Sequence, residues 1–216
     1  MAILACVLLT AQLMGCATSS KSQTASPTES TTRSKPRCTM TPLITENSGN
    51  EKPHLLAVTS EEDGYLLLVP NASDWQWTCG PEPKLLGVSQ EAGLQITVDV
   101  VEPDGRNLAP EPYLLDIASN VASGMSRHSI SVAKTEILRP HDITLLRLTL
   151  ESKSHAQEET YWTMRHRSDG YTVDLHVTPY SSNKEAQELQ RIAVPLLMSR
   201  FLVHGQRETM TAGAGR

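Results

Sequence analysis

The dipeptide Asp169-Gly170 stands between two runs in which apolar and polar residues alternate, Tyr161-Trp162-Thr163-Met164-Arg165-His166 before it and Tyr171-Thr172-Val173-Asp174-Leu175-His176-Val177 after it. A side-chain period of two is that of a β-strand, and Asp-Gly is a favoured two-residue hairpin turn because both residues tolerate positive φ. An antiparallel hairpin is therefore the element that most restricts the fold. With Asp169-Gly170 as the whole loop, Trp162 pairs with Val177, Met164 with Leu175 and His166 with Val173 on an apolar face. Thr163 then faces His176, and Arg165 faces Asp174, on the polar side.

The same period recurs upstream. Tyr65-Leu66-Leu67-Leu68-Val69 reads as a short apolar strand closed by Pro70-Asn71, and Trp75, Trp77 and Cys79 share one face of an extended segment ended by Gly80-Pro81. Leu94, Ile96, Val98 and Val100 alternate with polar residues and exit at the turn Pro103-Asp104-Gly105. Ile130 and Val132 begin another strand, and Leu146, Leu148 and Leu150 are the inward residues of one over 143–150. Two stretches change period to that of a helix. Leu114, Ile117, Ala118 and Val121 form a stripe over 112–123 with Gly124 placed to end it. A final helix has Ser182 as N-cap and Glu185 three residues on, with Ala186, Leu189, Ala193, Leu196 and Leu197 lining one side, and Pro195 is expected to kink or break it near 191–194. The class implied is α+β, an antiparallel sheet flanked by helices, in a single globular domain over 37–204. With 39% hydrophobic residues the chain has the material for one such core. Nucleic-acid backbone is excluded as partner, because 24 acidic residues outnumber 19 basic ones and no basic tract compensates locally.

The first residues form an apolar run interrupted only by Thr10 and Gln12, too short to cross a hydrocarbon core as a stable helix. It ends in Leu13-Met14-Gly15-Cys16, which resembles the bacterial lipobox. That resemblance implies a signal peptide over 1–15, cleavage before Cys16, diacylglycerol on the Cys16 sulfur and acylation, as by palmitate, of the new amino terminus. The chain departs from the pattern in having no Lys or Arg before the apolar run. Ala17 follows the cysteine where Asp would signal inner-membrane retention, so the implied location is the outer membrane of a bacterial envelope. Residues 16–36 are Ser/Thr-rich and bury too little to fold, which suits a tether, and 205–216 reads as a flexible tail.

The globular part resembles the PsbP-like α/β/α sandwich. The residues that carry the likeness are Gly64-Tyr65-Leu66-Leu67-Leu68-Val69-Pro70 followed by Trp75, the middle helix, the strand Gly170-Tyr171-Thr172-Val173-Asp174-Leu175, and a terminal helix running out in Ser199-Arg200-Phe201-Leu202-Val203. The fold occurs in photosystem II accessory proteins, a nuclear transport cofactor and many small bacterial lipoproteins. Its members are mostly binding or assembly proteins, so the resemblance implies a fold and no catalytic residue.

If Cys6 leaves with the signal and Cys16 carries lipid, Cys38 and Cys79 remain in an oxidising compartment, where one disulfide is the economical pairing and two unpaired thiols the alternative. The histidines at 54, 128, 141, 155, 166, 176 and 204 lack metal-ligand spacing, and the two-residue loop puts His166 and His176 on opposite faces. No metal or other cofactor is expected. Ser123-Gly124-Met125-Ser126 is not a nucleophile elbow, and Glu61-Glu62-Asp63 before Gly64 reads as a solvated strand edge rather than a glycosidase pair. Trp75 and Trp77 are either core material or a flat surface for stacking a ligand such as a glycan.

The leading expectation is a non-enzymatic envelope lipoprotein that binds or helps assemble another envelope component, with membrane lipid and an envelope protein as partners. A small-molecule or glycan-binding domain is the second reading, and a hydrolase of unrecognised type the third.

Overall fold

A computed structural model describes residues 38–43, 55–103, 108–125, 129–154, 156–180 and 184–204, all within one compact unit, Lys35–Arg216. The expected signal segment, Cys16, the tether, the Ser182 cap and the tail lie outside the described residues.

Two antiparallel sheets carry the fold. The smaller has the order β1-β2-β3-β11, built from Thr39–Leu43, Leu55–Ser60, Tyr65–Pro70 and Leu202–Val203. The larger runs β4-β5-β6-β10-β9-β8-β7, from Gln76–Thr78, Leu85–Ser89, Leu94–Val101, Thr172–Pro179, Gln157–His166, Leu145–Ser152 and Ile130–Leu138. Helix α1 (Pro110–Met125) packs on β7, β8 and β9, and helix α2 (Lys184–Ser199) packs on β10 and β3.

Because side chains alternate across a strand, the large sheet feeds two cores, one on each face. One face sends Leu85, Ile96, Val98, Leu145, Tyr161 and Leu175 into the main core, where they meet Val58, Leu67 and Val69 of the small sheet and Val194, Met198 and Phe201 of the C-terminal segment. The other face sends Leu146, Leu148 and Met164 against Leu114 and Ala118 of α1. The stripe read for α1 is thus correct, with Ile117 and Val121 packed at its margin. The helix runs through Gly124 to Met125, and it starts earlier than expected, on Pro110, whose missing N–H costs nothing in a first turn.

The register of the central hairpin differs from the expectation by one residue. Leu175 pairs with Thr163, Asp174 with Met164, Val173 with Arg165 and His176 with Trp162. The loop has three residues, closed by the Arg167 N–H donating to the Tyr171 carbonyl at 2.8 Å and the Gly170 N–H to the Arg167 carbonyl at 3.1 Å. A two-residue Asp-Gly turn needs positive φ at both positions, whereas here Gly170 (φ 94) has it and Asp169 does not. The Asp169 carboxylate instead accepts from Arg167 Nε and the Tyr171 N–H. One extra loop residue turns β9 over, so that Trp162, Met164 and His166 face α1 while Thr163 and Arg165 face the main core. The expected Arg165–Asp174 pair is therefore absent, and the Arg165 guanidinium, half-buried with Nε unpartnered, is held below its ordinary pKa by burial.

Helix α2 corrects a second expectation. It is assigned without a break through Pro195. Its buried line is Val194, Leu197 and Met198, continued by Phe201 just beyond its end, while Leu189 is 65% exposed, Ile192 74% and Leu196 41%. Of the side read from sequence Leu197 is buried, but Leu189 and Leu196 are not, because contact with β10 and β3 covers the line that includes Val194 instead.

Candidate functional site

The main-core face of β7, β8 and β9 changes character along its length. Leu138, Leu145 and Tyr161 are apolar and packed, but the next same-face positions are Glu136 and Arg147, then Lys134, Thr149 and Glu159, then Gln157. A charged side chain directed at a sheet face is stable only if partnered or wet, and here it is both. These residues and Arg191 of α2 line a cleft of about 410 Å³.

Its ion pairs form two groups. Glu136 accepts from Arg147 through Nε at 2.9 Å and Nη2 at 2.6 Å, and Lys134 Nζ lies 2.9 Å from the same carboxylate. Hydrogen bonds from Lys134 and Arg147 hold Glu136 below the usual carboxylate range. At the other end Glu159 accepts from Arg191 Nε at 2.9 Å and from the Tyr161 hydroxyl at 2.6 Å, and Arg191 also reaches Glu188 at 2.7 Å. Burial, then the Glu159 bond, raises Tyr161 above its ordinary value, so it stays a donor. Two cations meet one carboxylate at the β7–β8 end, and one cation meets two carboxylates at the β9–α2 end. Arg147 also hydrogen-bonds Tyr161 and faces Glu159, so the two groups join in one charge-compensated network.

On the opposite face of the large sheet the corrected register assembles a row of titratable groups. The Tyr113 hydroxyl of α1 donates to Asp174 Oδ2 at 2.7 Å, and Oδ1 is buried with no hydrogen-bond partner. Asp99 pairs with Asp174 across the strands. Burial, opposed by the Tyr113 bond and reinforced by Asp99, pushes Asp174 up to about 7. Asp99 is also raised, by burial and then by Glu82. Two residues along, His176 Nε2 lies 2.6 Å from Thr160 Oγ1 and 3.1 Å from Thr178 Oγ1, with the ring flat against Trp162, and burial pulls it down to about 4. His166 ties the chain before α1 to the sheet, with Nε2 2.9 Å from the Leu108 carbonyl oxygen.

The residues singled out from sequence lie away from the cleft. Cys38 and Cys79 are at disulfide distance, with Cα atoms 6.1 Å apart. Trp75 and Trp77 stack with centroids 4.5 Å apart, both half-buried against the main core. Trp75 Nε1 donates to the Pro70 carbonyl at 2.8 Å, and the Trp77 ring occupies the space where Gly87 has no Cβ. This pair belongs to the β4 edge of the large sheet, while the cleft belongs to the β7 edge. Asp63 of the acidic run is buried, accepting from Ser60 Oγ at 2.9 Å with Lys84 Nζ 3.9 Å away. His166 and His176 share a face after all, separated by the Asp174–Met164 pair. Among the described residues no group of three or more His, Cys, Asp or Glu is placed to hold a metal ion. Sequence reasoning missed the cleft, although its signal was present as charged or polar residues at every second position, Lys134 and Glu136 on one strand and Gln157 and Glu159 on another.

No family model matches the chain, and no curated protein matches it. Among solved structures it is similar to the solution structure of cyanobacterial PsbP (CyanoP) from Synechocystis sp. PCC 6803, with a TM-score of 0.51 and 12% identity over 74% of this chain and 99% of that one. The fold is the PsbP-like α/β/α sandwich; identity this low carries the fold and nothing further.

Proposed function

We propose that the chain is a non-enzymatic module of a bacterial cell envelope, anchored through lipid on Cys16 to the outer membrane and binding or helping to assemble another envelope component. The observation that carries this reading is the Cys38–Cys79 pair at disulfide distance. A disulfide across a separation of 41 residues persists in oxidising compartments, which agrees with export. The lipobox-like Leu13-Met14-Gly15-Cys16 supplies the anchor, and two or more acyl chains give durable attachment where one gives only reversible binding. The binding role follows the PsbP-like resemblance. A second reading, a small-molecule-binding domain, is favoured by the cleft lined by Lys134, Arg147, Glu159 and Arg191.

Metabolic labelling with a palmitate analogue, combined with intact mass of the mature chain, tests the anchor. The expected product begins at Cys16 with acyl mass, and Cys16→Ala abolishes labelling. An unacylated product beginning at Met1 overturns it. Affinity purification from solubilised envelopes tests the partner, and recovery of background alone in several detergents counts against assembly.

A further inference from the structure

We infer that Arg165 anchors a binding site for the carboxylate group of a small organic acid, at the corner where the hairpin end of the large sheet meets β11. The inference goes beyond the envelope reading and needs neither the Cys16 anchor nor the cleft.

The three-residue loop creates the site. It turns Tyr161, Thr163 and Arg165 to the main-core face of β9, and the first two are buried there, so Arg165 stands at the end of a buried row. Val173 is its partner on one side, and the β8–β9 register, continued by two residues, puts Ile143 on the other. Both are buried aliphatics, and a cation between such neighbours is costly unless an opposite charge meets it. The described chain supplies none. Among the described residues Arg165 Nε is buried without an acceptor, and no carboxylate pairs with the guanidinium. The other half-buried arginines show what is missing: Arg147 is held by Glu136, and Arg167 by Asp169 through Nε and Nη2. The carboxylates of this corner are committed or out of reach. Asp63 accepts from Ser60, Asp169 holds Arg167, and Asp142, on the turn before Ile143, makes no ion pair with Arg165. The small sheet closes the corner, as Arg167 Nη1 donates to the Asp63 carbonyl, the His204 N–H donates to the Gly64 carbonyl, and β11 packs on β9.

Charge and geometry then select the ligand class. One uncompensated cation is matched by a monoanion, whereas a dianion would bring a buried charge of its own. Nε is sealed while the Nη atoms are open to solvent, so the fork on offer is Nη1 with Nη2, whose two parallel N–H bonds fit a planar carboxylate.

The test is titration of the purified full chain with sodium acetate and sodium propionate at constant ionic strength, read on the Arg165 Nε–Hε resonance and the amides of Ile143 and Val173. Sodium sulfate and methyl acetate, a neutral ester of similar shape, are the comparisons. The expected result is saturable shifts with both carboxylates, roughly threefold weaker binding of sulfate, and no response to methyl acetate. Arg165→Met removes the charge and keeps most of the stem, and is expected to abolish the shifts at Ile143 and Val173 while melting no lower than the parent. Arg165→Lys keeps the charge without the fork and is expected to bind acetate roughly fivefold more weakly. The inference is overturned by flat titrations to about 50 mM, well past a millimolar site, by sulfate or methyl acetate binding as acetate does, or by shifts that persist in Arg165→Met. An Arg165→Met chain that melts well below the parent also overturns it, since the guanidinium would then have a structural partner within the chain.

Discussion

The imidazole of His176 lies parallel to the indole of Trp162, with centroids 4.1 Å apart and planes 3° from each other. These residues are direct cross-strand partners only because the hairpin loop has three residues, and the same register puts Asp174 on the His176 face. A neutral imidazole and a carboxyl of raised pKa thus sit two residues apart under one helix.

The two groups oppose each other in the pH dependence of stability. Asp174 is near 7 in the fold against 3.8 ordinarily, so between those values the folded chain holds a proton the unfolded chain has released, and stability falls as pH rises. His176 is near 4 against 6.5, so in that window the unfolded chain holds the extra proton and stability rises with pH. The parent chain therefore shows little net slope from these groups between pH 4 and 6.5. Asp174→Asn leaves the rising slope, and His176→Gln leaves the falling one, each at most about 1.4 kcal/mol per pH unit. Urea unfolding across this range measures both, and parallel curves for all three proteins exclude the account.

Gly87→Ala is expected to destabilise by about 1–3 kcal/mol, because the new Cβ meets the Trp77 ring with its Cζ3, Cε3 and Cη2 atoms. The double variant Gly87→Ala, Trp77→Leu should lose less than the sum of the two single changes, since the clash goes with the ring. Thermal unfolding of the four proteins gives the coupling, and strict additivity contradicts the contact.

Helix α2 separates its two apolar lines by energy. Val194→Ala should cost roughly 1–3 kcal/mol, as a buried side chain is cut back. Leu189→Ser and Ile192→Ser, on the exposed side, should each fall within about 0.5 kcal/mol of the parent. Denaturant midpoints decide it; a large loss at Leu189 with none at Val194 would invert the packing described.

Reduction of the Cys38–Cys79 pair should lower stability by about 3–4 kcal/mol, the chain-entropy value for a loop of this length. Cys38→Ser with Cys79→Ser should match the reduced parent and be insensitive to reductant. Unfolding with and without dithiothreitol is the measurement, and an oxidised chain showing free thiols by alkylation and mass removes the premise.

Much of the sheet was legible in alternation, as at Leu94, Ile96 and Val98, all buried as their spacing implied. So was the stripe of α1. Four strands were not read: β1, β2 and β5 are runs of only five or six residues that pairing with the strands beside them defines, and β11 has two residues that count as a strand only through pairing with Tyr65 and Leu66. The candidate cleft was illegible as a site because Arg191 comes from α2, far along the chain from Glu136 and Arg147.

By itself the sequence determined what is local: which segments alternate with period two, where a helix period replaces it, and which cysteines stand within the domain. Those properties follow from backbone geometry and side-chain chemistry over a few residues. Tertiary structure decided which way each element faces. One residue in the loop before Tyr171 turned β9 over, moving Trp162 to α1 and exchanging the partners of Arg165 and Asp174, because a strand has two faces and its own sequence does not say which will be covered. Helix α2 had two apolar lines, and packing on β10 and β3 selected the one through Val194.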